Sequence, residues 1–418
     1  LKGHLGYWNH YTNTEENGWI TIIYVQPKQL SYKAGCKFQQ TSKISKKAIL
    51  SSLIMPSRFT SLVLHSMIPR LLFGFILPLF LQSSSVLSNS TLQFGLQSSS
   101  SSSSSGIPNP SGLRVGFYQY TCPNAEAIVR DEMTKIISQV PSLAGPLLRM
   151  HFHDCFVNGC DGSVLLNGLP GLPSEKDAIP NLSLRGFGTI DRVKAKLEKA
   201  CPGVVSCADI LALVARDVVV LTKGPHWDVP TGRRDGRRSV KQDALNNLPP
   251  PFFDAGRNLY QFFIPKGLDA KDQIVLLGGH TLGTSHCSSF ASRLYNFSGT
   301  MMADPSLDKR YIPRLKSRCS NPGDRTTLVE MDPGSFRTFD ASYYRHVAKG
   351  RSLFTSDQTL MNDPAARAYV QRQAAVADAG AYPAEFFADF AASMVKMGGV
   401  QVLTGAQGEV RRHCAVVN

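Results

Sequence analysis

Apolar positions along the 418-residue chain recur mainly at three- and four-residue intervals, the period of an amphipathic helix. Ile128, Val129, Met133, Ile136, Ile137 and Val140 keep this spacing behind Asn124, a residue suited to capping a helix, and Pro141 ends the run. A helix through residues 147–153 follows. Residues 191–200 are amphipathic and stop at Cys201-Pro202-Gly203, whereas residues 206–220 are apolar enough for a buried helix. Asp269 and Asp272 make a good start for a helix through Gln273-Ile274-Val275-Leu276-Leu277 to His280. Further helices are expected near residues 341–348, 364–374 and 384–397. Strand signals are short, as around residues 227–229. The pattern predicts a mostly α protein with one large core and several long loops pinned by disulfides.

The first hundred residues lack this organisation. Met67-Ile68-Pro69-Arg70 precedes an apolar run at 71–81, too short and Pro-broken for a membrane span but suited to a secretory signal. Stable membrane insertion is therefore not expected. Residues 83–111 are Ser-rich, with unbroken serine from Ser98 to Ser105. The expected organisation is an upstream stretch at 1–66 lying outside the translated protein, a signal region at 67–92, a linker at 93–112 and a folded domain at 113–418. Met55 or Met67 would be the start, and Asn89-Ser90-Thr91, within the signal region, would be a glycosylation acceptor if it survives processing.

The net charge is +14, with nine Lys/Arg against two Asp/Glu in residues 1–112 and 36 against 29 in the remainder. The positive charge is thus spread. No basic stripe with aromatic platforms points to nucleic acid, whereas attraction to an acidic wall polysaccharide is expected. Of nine cysteines, Cys36 stands apart, and the eight from Cys122 to Cys414 form an even set suited to disulfides in a secreted protein.

Candidate chemistry concentrates in Leu148-Arg149-Met150-His151-Phe152-His153-Asp154-Cys155 and the loop behind it. On a helix, Arg149 and His153 stand at i and i+4 beside Phe152. A guanidinium next to an imidazole favours the neutral, basic ring and can stabilise negative charge developing on oxygen. His151 points elsewhere and reads as structural. Asp154, Asp161 and Ser163 offer oxygen ligands around two glycines, which suits a hard cation such as Ca2+. Cys155 and Cys160 could close this loop, and a His153/Cys155/Cys160 zinc site is the rival. A second histidine, His280, follows Gly278-Gly279 at a helix end, where missing side chains would admit a flat, bulky ligand. Asp357 could hold the far nitrogen of that ring.

Arg149-x-x-Phe152-His153-Asp154-Cys155, Cys160-Asp161-Gly162-Ser163, Gly278-Gly279-His280-Thr281 and Phe339-Asp340 together resemble the secreted class III plant haem peroxidases, over about residues 113–418. The resemblance implies two helical lobes with haem b between distal and proximal helices. It implies His280 as axial iron ligand, Asp357 as its hydrogen-bond partner, His153 as the base that moves a proton of hydrogen peroxide, Arg149 as charge stabiliser and Asn181 as the acceptor fixing the His153 tautomer. Pro249, with Ile179 and Phe252 nearby, matches the entrance for phenolic donors. Two Ca2+ sites are implied: Asp154, Val157, Gly159, Asp161 and Ser163, with Glu175 close by, and Thr281, Asp332, Ser335, Thr338 and Asp340. Ser335 replaces the usual Thr but keeps the hydroxyl. The implied disulfides are Cys122–Cys201, Cys155–Cys160, Cys207–Cys414 and Cys287–Cys319. Asn296-Phe297-Ser298 is a candidate glycan site, and the expected location is extracellular, at the cell wall.

Two other readings compete. A bis-histidine electron carrier would have no use for Arg149, and a haem-free zinc or calcium protein leaves Gly278-Gly279-His280 and Asp357 without a purpose. The internal signal and the odd Cys36 predict that secreted protein contains no peptide from residues 1–66. Mass spectrometry of secreted material checks this, and a single such peptide would overturn it.

Overall fold

Why the apolar periodicity becomes helix is plainest in the first four helices of residues 112–418, the part of the chain that the computed structural model describes. Cys36, the apolar signal run, the serine stretch and Asn89 lie outside these residues. Helix α1 (Ala125–Gln139) buries Val129, Met133, Ile136 and Ile137 on one face. Asn124 sits at its N-terminus without a side-chain cap, because its backbone (φ −93°, ψ 8°) already lies near the helical region. Helix α2 (Ala144–Val157) is longer than the apolar run alone suggests at both ends. Helix α3 (Phe187–Ala200) also starts early, where Gly186 turns the chain at φ 104° against Leu147. Helix α4 (Cys207–Leu221) is buried from Cys207 through Val219, with Ser206 Oγ capping it from Asp209 N at 3.1 Å. It packs against α1, α2 and α3, which explains its all-round apolar character.

The chain continues through α5 (Lys241–Asn247), α6 (Ala255–Asn258) and α7 (Ala270–Leu277), whose Asp269/Asp272 capping box is formed in both directions. Helix α7 ends before the expected His280; Gly278–Thr281 tighten into a 3-10 turn, the usual result when glycines weaken the last turn. Strands β1 (Thr284–His286) and β2 (Leu328–Glu330) pair antiparallel, with Thr284 opposite Glu330, and between them lie α8 (Ala291–Tyr295) and α9 (Ile312–Arg318). Then come α10 (Ser342–Ala348), α11 (Thr355–Gln358), α12 (Pro364–Asp378) and α13 (Ala384–Met397). Packing of α10 on α12 and of α13 on α7 builds the second half of the helical body.

Two expectations are corrected. Residues 227–229 are not a strand: Pro225 and Pro230 flank them and cannot donate to a ladder, although Trp227 and Val229 are buried. The core is not single. A large cluster joins α1–α4 to α7, α10, α12 and α13, while Phe290, Leu294, Leu307, Tyr311, Leu315, Met331 and Leu353 form a separate small one beside the Cys287–Cys319 disulfide. The other bridges are Cys122–Cys201, Cys155–Cys160 and Cys207–Cys414, the last closing a sequence separation of 207.

Asp209 ties distant segments together. It accepts from Tyr118 Oη at 2.6 Å, from Gly232 N at 2.7 Å and from Arg233 Nη1 at 2.8 Å. Arg233 in turn donates to Gly398 O at the end of α13, from Nε at 2.8 Å and from Nη2 at 2.7 Å. Both ionic partners are buried, so removing one charge strands the other. Asp209→Asn should cost about 3–5 kcal/mol in denaturant unfolding, whereas the exposed Lys135→Ala should stay within about 0.5 kcal/mol of the parent. Equal effects would remove Asp209 from this role.

Candidate active site

Helix α2 carries Arg149, Phe152 and His153 because its apolar positions Leu147, Met150 and Phe156 face the core and fix its rotation. Phe152 meets the edge of the His153 ring at 5.2 Å between centroids. Asn181 reaches the same imidazole from the short turn Ile179–Asn181. Its Nδ2 donates to Glu175 O at 2.8 Å, leaving Oδ1 to face His153 Nδ1 at 2.5 Å. Nδ1 must therefore carry the proton and donate, which leaves the lone pair on Nε2. Burial, then Arg149, holds His153 well below the ordinary imidazole range, with Asn181 opposing weakly. The ring is a neutral base at physiological pH.

Arg149 donates from Nη1 to Ser183 Oγ at 2.9 Å and from Nη2 to Pro180 O at 2.7 Å. Burial brings its guanidinium down to about 10, so it stays charged. The turn at 179–183 therefore positions both the base and the cation. His151 is buried against Cys155, its Nδ1 3.7 Å from Sγ, and burial and Arg233 hold it down to about 3. Ile179 is 72% and Phe252 60% exposed, two of the large apolar side chains on the surface. The Ile179–Asn181 turn packs on α5, which leads directly into Pro249. The following Pro251 O accepts from Ser356 N at 3.1 Å, tying this loop to the helix that carries Asp357.

The turn bearing His280 lies next to α2: Gly145 packs on Gly283 so closely that an added Cβ would stand 3.0 Å from its Cα. Asp357 Oδ1 lies 2.9 Å from His280 Nδ1 and accepts from Tyr343 Oη at 3.0 Å. The ring sits edge-on to Phe354 and Tyr343, is about a third exposed, and presents Nε2. A histidine whose Nδ1 is held by a buried carboxylate fits an iron ligand. The expected reason for Gly278 is corrected. A Cβ there would stand 2.6 Å from both the Phe386 ring and Tyr344 Oη, so packing of the aromatic core demands glycine. Nothing in the sequence marked Tyr343 or Ser183; each acquires its place only through a partner far along the chain.

Beside each histidine lies a set of oxygen donors. Asp154 accepts from Gly162 N at 2.9 Å, Asp161 from Ser163 N at 2.9 Å and Glu175 from Asn158 Nδ2 at 3.1 Å. Ser163 Oγ and Glu175 Oε2 are buried with no hydrogen-bond partner among the described residues. Burial raises all three carboxyls, Asp161 to about 6 and Glu175 to about 8, while Asp154, also repelled by Asp161, lies well above its ordinary value. Clustered buried carboxylates and orphaned oxygens fit a hard cation. Gly159 permits the loop, with φ 90° and a would-be Cβ 2.5 Å from Gln401 O; its own carbonyl accepts from Asp161 N at 2.9 Å. Val157 is the last residue of α2.

On the other side, Thr281 Oγ1 donates to Asp332 Oδ2 at 2.9 Å and lies 3.5 Å from Thr338 O and from Asp340 Oδ1. Ser335 Oγ and Asp332 Oδ1 are buried without hydrogen bonds among the described residues, although His346 Nε2 approaches the latter to 3.0 Å off the hydrogen-bonding direction. No group of three or more His, Cys, Asp or Glu gathers on one point among the described residues. Either cation site would thus depend on hydroxyls and carbonyls besides carboxylates, as Ca2+ allows. The zinc reading fails, since Cys155 and Cys160 are bonded to each other.

A neutral base beside a fixed cation, with a separate carboxylate-held imidazole on a neighbouring turn, is the division of labour of a helical peroxidase. Residues 129–376 match the family model described as Peroxidase. The chain is 60% identical over 305 residues to Peroxidase 1 of Oryza sativa subsp. japonica, covering 72% of this chain and 92% of that one. It is 55% identical over 308 residues to Peroxidase 39 of Arabidopsis thaliana, covering 73% and 93%, and 53% identical over 316 residues to Peroxidase 3 of the same plant, covering 75% and 95%. The chain belongs to the plant peroxidase family, class III, and is an enzyme acting on hydrogen peroxide.

Calcium removal should lower melting temperature and peroxide turnover together, because the two oxygen clusters begin at Asp154 and Thr281, the residues next to His153 and His280. Activity and melting unchanged after metal analysis confirms calcium loss would separate the oxygen clusters from function.

Proposed function

We propose that the chain is a secreted haem peroxidase that reduces hydrogen peroxide to water with electrons taken singly from phenolic donors. The observation that carries this reading is the 2.5 Å contact between His153 Nδ1 and Asn181 Oδ1, which leaves a basic Nε2 beside the Arg149 guanidinium. Nε2 of His153 removes a proton from one peroxide oxygen and returns it to the other, which then leaves as water. Arg149 stabilises negative charge on the departing oxygen. His280 Nε2 would hold the haem, which would supply the redox chemistry of peroxide reduction. Asp357 and Tyr343 keep the Nδ1–H of His280 donating to a carboxylate, which makes the ligating nitrogen more electron-rich.

Two donor molecules each lose one electron and one proton, and two waters are formed from each peroxide. Pro249, Ile179 and Phe252 form the apolar entrance at which a phenol ring docks. Asp154, Val157, Gly159, Asp161 and Ser163, with Glu175 behind them, hold one Ca2+; Thr281, Asp332, Ser335, Thr338 and Asp340 hold the other. Four disulfides suit an oxidising, extracellular compartment. No described helix is long and apolar enough to cross a membrane. The mature domain is taken to begin near Leu113, and its positive charge favours retention on an acidic wall matrix.

His153→Leu should keep the haem absorbance, because iron is held from His280, yet slow the spectral change after peroxide addition by roughly 10²–10⁴-fold. His280→Leu should instead lose normal haem ligation. Stopped-flow spectroscopy decides the matter, and a His153→Leu rate within a few-fold of the parent would defeat the assignment. A rate that rises would favour an iron held by both histidines.

A further inference from the structure

A run of aromatic rings joins His280 to the surface on the side away from α2. The His280 ring lies 6.1 Å from that of Tyr343, which meets Tyr344 at 5.0 Å. Tyr344 stands edge-on to Phe386 at 5.1 Å, Phe386 lies 5.9 Å from Phe387, and Phe387 meets Tyr382 edge-on at 5.3 Å. Each centroid separation is one of direct aromatic contact. Tyr343, Tyr344, Phe386 and Phe387 are buried, whereas Tyr382 is 73% exposed. Tyr382 sits in the turn between α12 and α13, and that turn is held at both ends. Ala381 N donates to Val376 O at 3.0 Å, and Ala384 N donates to Tyr382 O at 3.0 Å.

Exposure alone does not single out Tyr382. Tyr120 is 84% and Tyr260 72% exposed, yet neither meets another aromatic ring among the described residues. Packing alone does not account for the run either, since phenylalanine would fill the same space at positions 343 and 344. Tyrosine differs in giving up an electron far more readily, because its hydroxyl proton can leave with it. Both buried hydroxyls are fixed by hydrogen bonds, Tyr343 Oη to Asp357 at 3.0 Å and Tyr344 Oη to Ile274 O at 3.2 Å. Oxidisable rings are thus held in series between the histidine and an exposed phenol.

We propose that Tyr382 is a second site of donor oxidation, serving phenolic groups on polymers or solids too bulky for the entrance near Pro249. This role rests on the reading of His280 as the haem ligand, and peroxide supplies the oxidising equivalents. One electron passes from Tyr382 through the rings to the His280 side, and the phenolic proton of Tyr382 goes to water, leaving a neutral phenoxyl at the surface. A donor phenol then returns one electron and one proton to Tyr382 and is itself left as a phenoxyl. A second donor supplies the second electron that one peroxide requires. Peroxide added to the holoenzyme with a nitroso spin trap and no donor, followed by peptide mass spectrometry, tests the path. The adduct should form on Tyr382 and not on Tyr120 or Tyr260. Tyr344→Phe keeps a ring in place but removes an oxidisable one, and should lose most of the Tyr382 adduct. Tyr382→Phe should lose the oxidation of phenols fixed to solid beads by short tethers. Guaiacol oxidation in solution should be unchanged in both variants, which reports that each is folded and active. No adduct on Tyr382, equal labelling of Tyr120 and Tyr260, a full Tyr382 adduct in Tyr344→Phe, or undiminished bead oxidation by Tyr382→Phe would each overturn the proposal. A parent that oxidises guaiacol but leaves Tyr382 unlabelled counts against Tyr382 alone, whereas a parent that cannot oxidise guaiacol counts against the haem reading as well.

Discussion

The hydrogen bond between His153 and Asn181 ties together the segments that surround the base. Asn181 can offer its oxygen to the imidazole only because its nitrogen is committed to the carbonyl of Glu175. The side chain of Glu175 is committed in turn to Asn158, at the end of the helix that carries His153. The loop that follows returns Gly162 N–H to the carboxylate of Asp154, the residue next to His153. A closed circuit of short polar contacts thus surrounds the base. Buried polar circuits hold their members rigidly when every partner is present, and they fail together when one is not.

The second histidine is built on the same plan with different parts. Asp357 fixes one ring nitrogen of His280, and Tyr343 fixes Asp357. Thr281, the next residue, leads into Asp332, Thr338 and Asp340. Each imidazole is therefore followed immediately by an oxygen donor that begins a buried polar cluster. The first ring is kept neutral and basic by burial and a nearby guanidinium, whereas the second sits against a carboxylate. Those opposite surroundings suit one ring to moving protons and the other to donating electron density.

The scaffold explains why these circuits stay aligned. Helix α4 is buried on all sides and touches α1, α2 and α3, so α2 cannot rotate without disturbing the main core. Asp209 and Arg233 then link that core to the end of α13. The segment between β1 and β2 has its own small core and its own disulfide.

Much of this was legible without coordinates. The helical periods of α1, α4, α7 and α13, the Asp269/Asp272 capping box and the Arg149/His153 spacing are local properties, because residues three or four apart on a helix must share a face. Residues 227–229 misled because β-forming side chains outweighed the flanking prolines, and Gly278 misled because its neighbours Phe386 and Tyr344 lie far along the chain. The sequence by itself determined the longer helices, the chemistry available at each motif and the family to which the motifs point, whereas the short helices α5, α6, α8, α9 and α11 were not legible in it. Only the tertiary structure decided that Ser183 and the carbonyl of Pro180 hold Arg149, and that Tyr343 completes the hold on Asp357. Each of these is set by a contact between segments distant in sequence, and such contacts leave no periodicity for a local pattern to register.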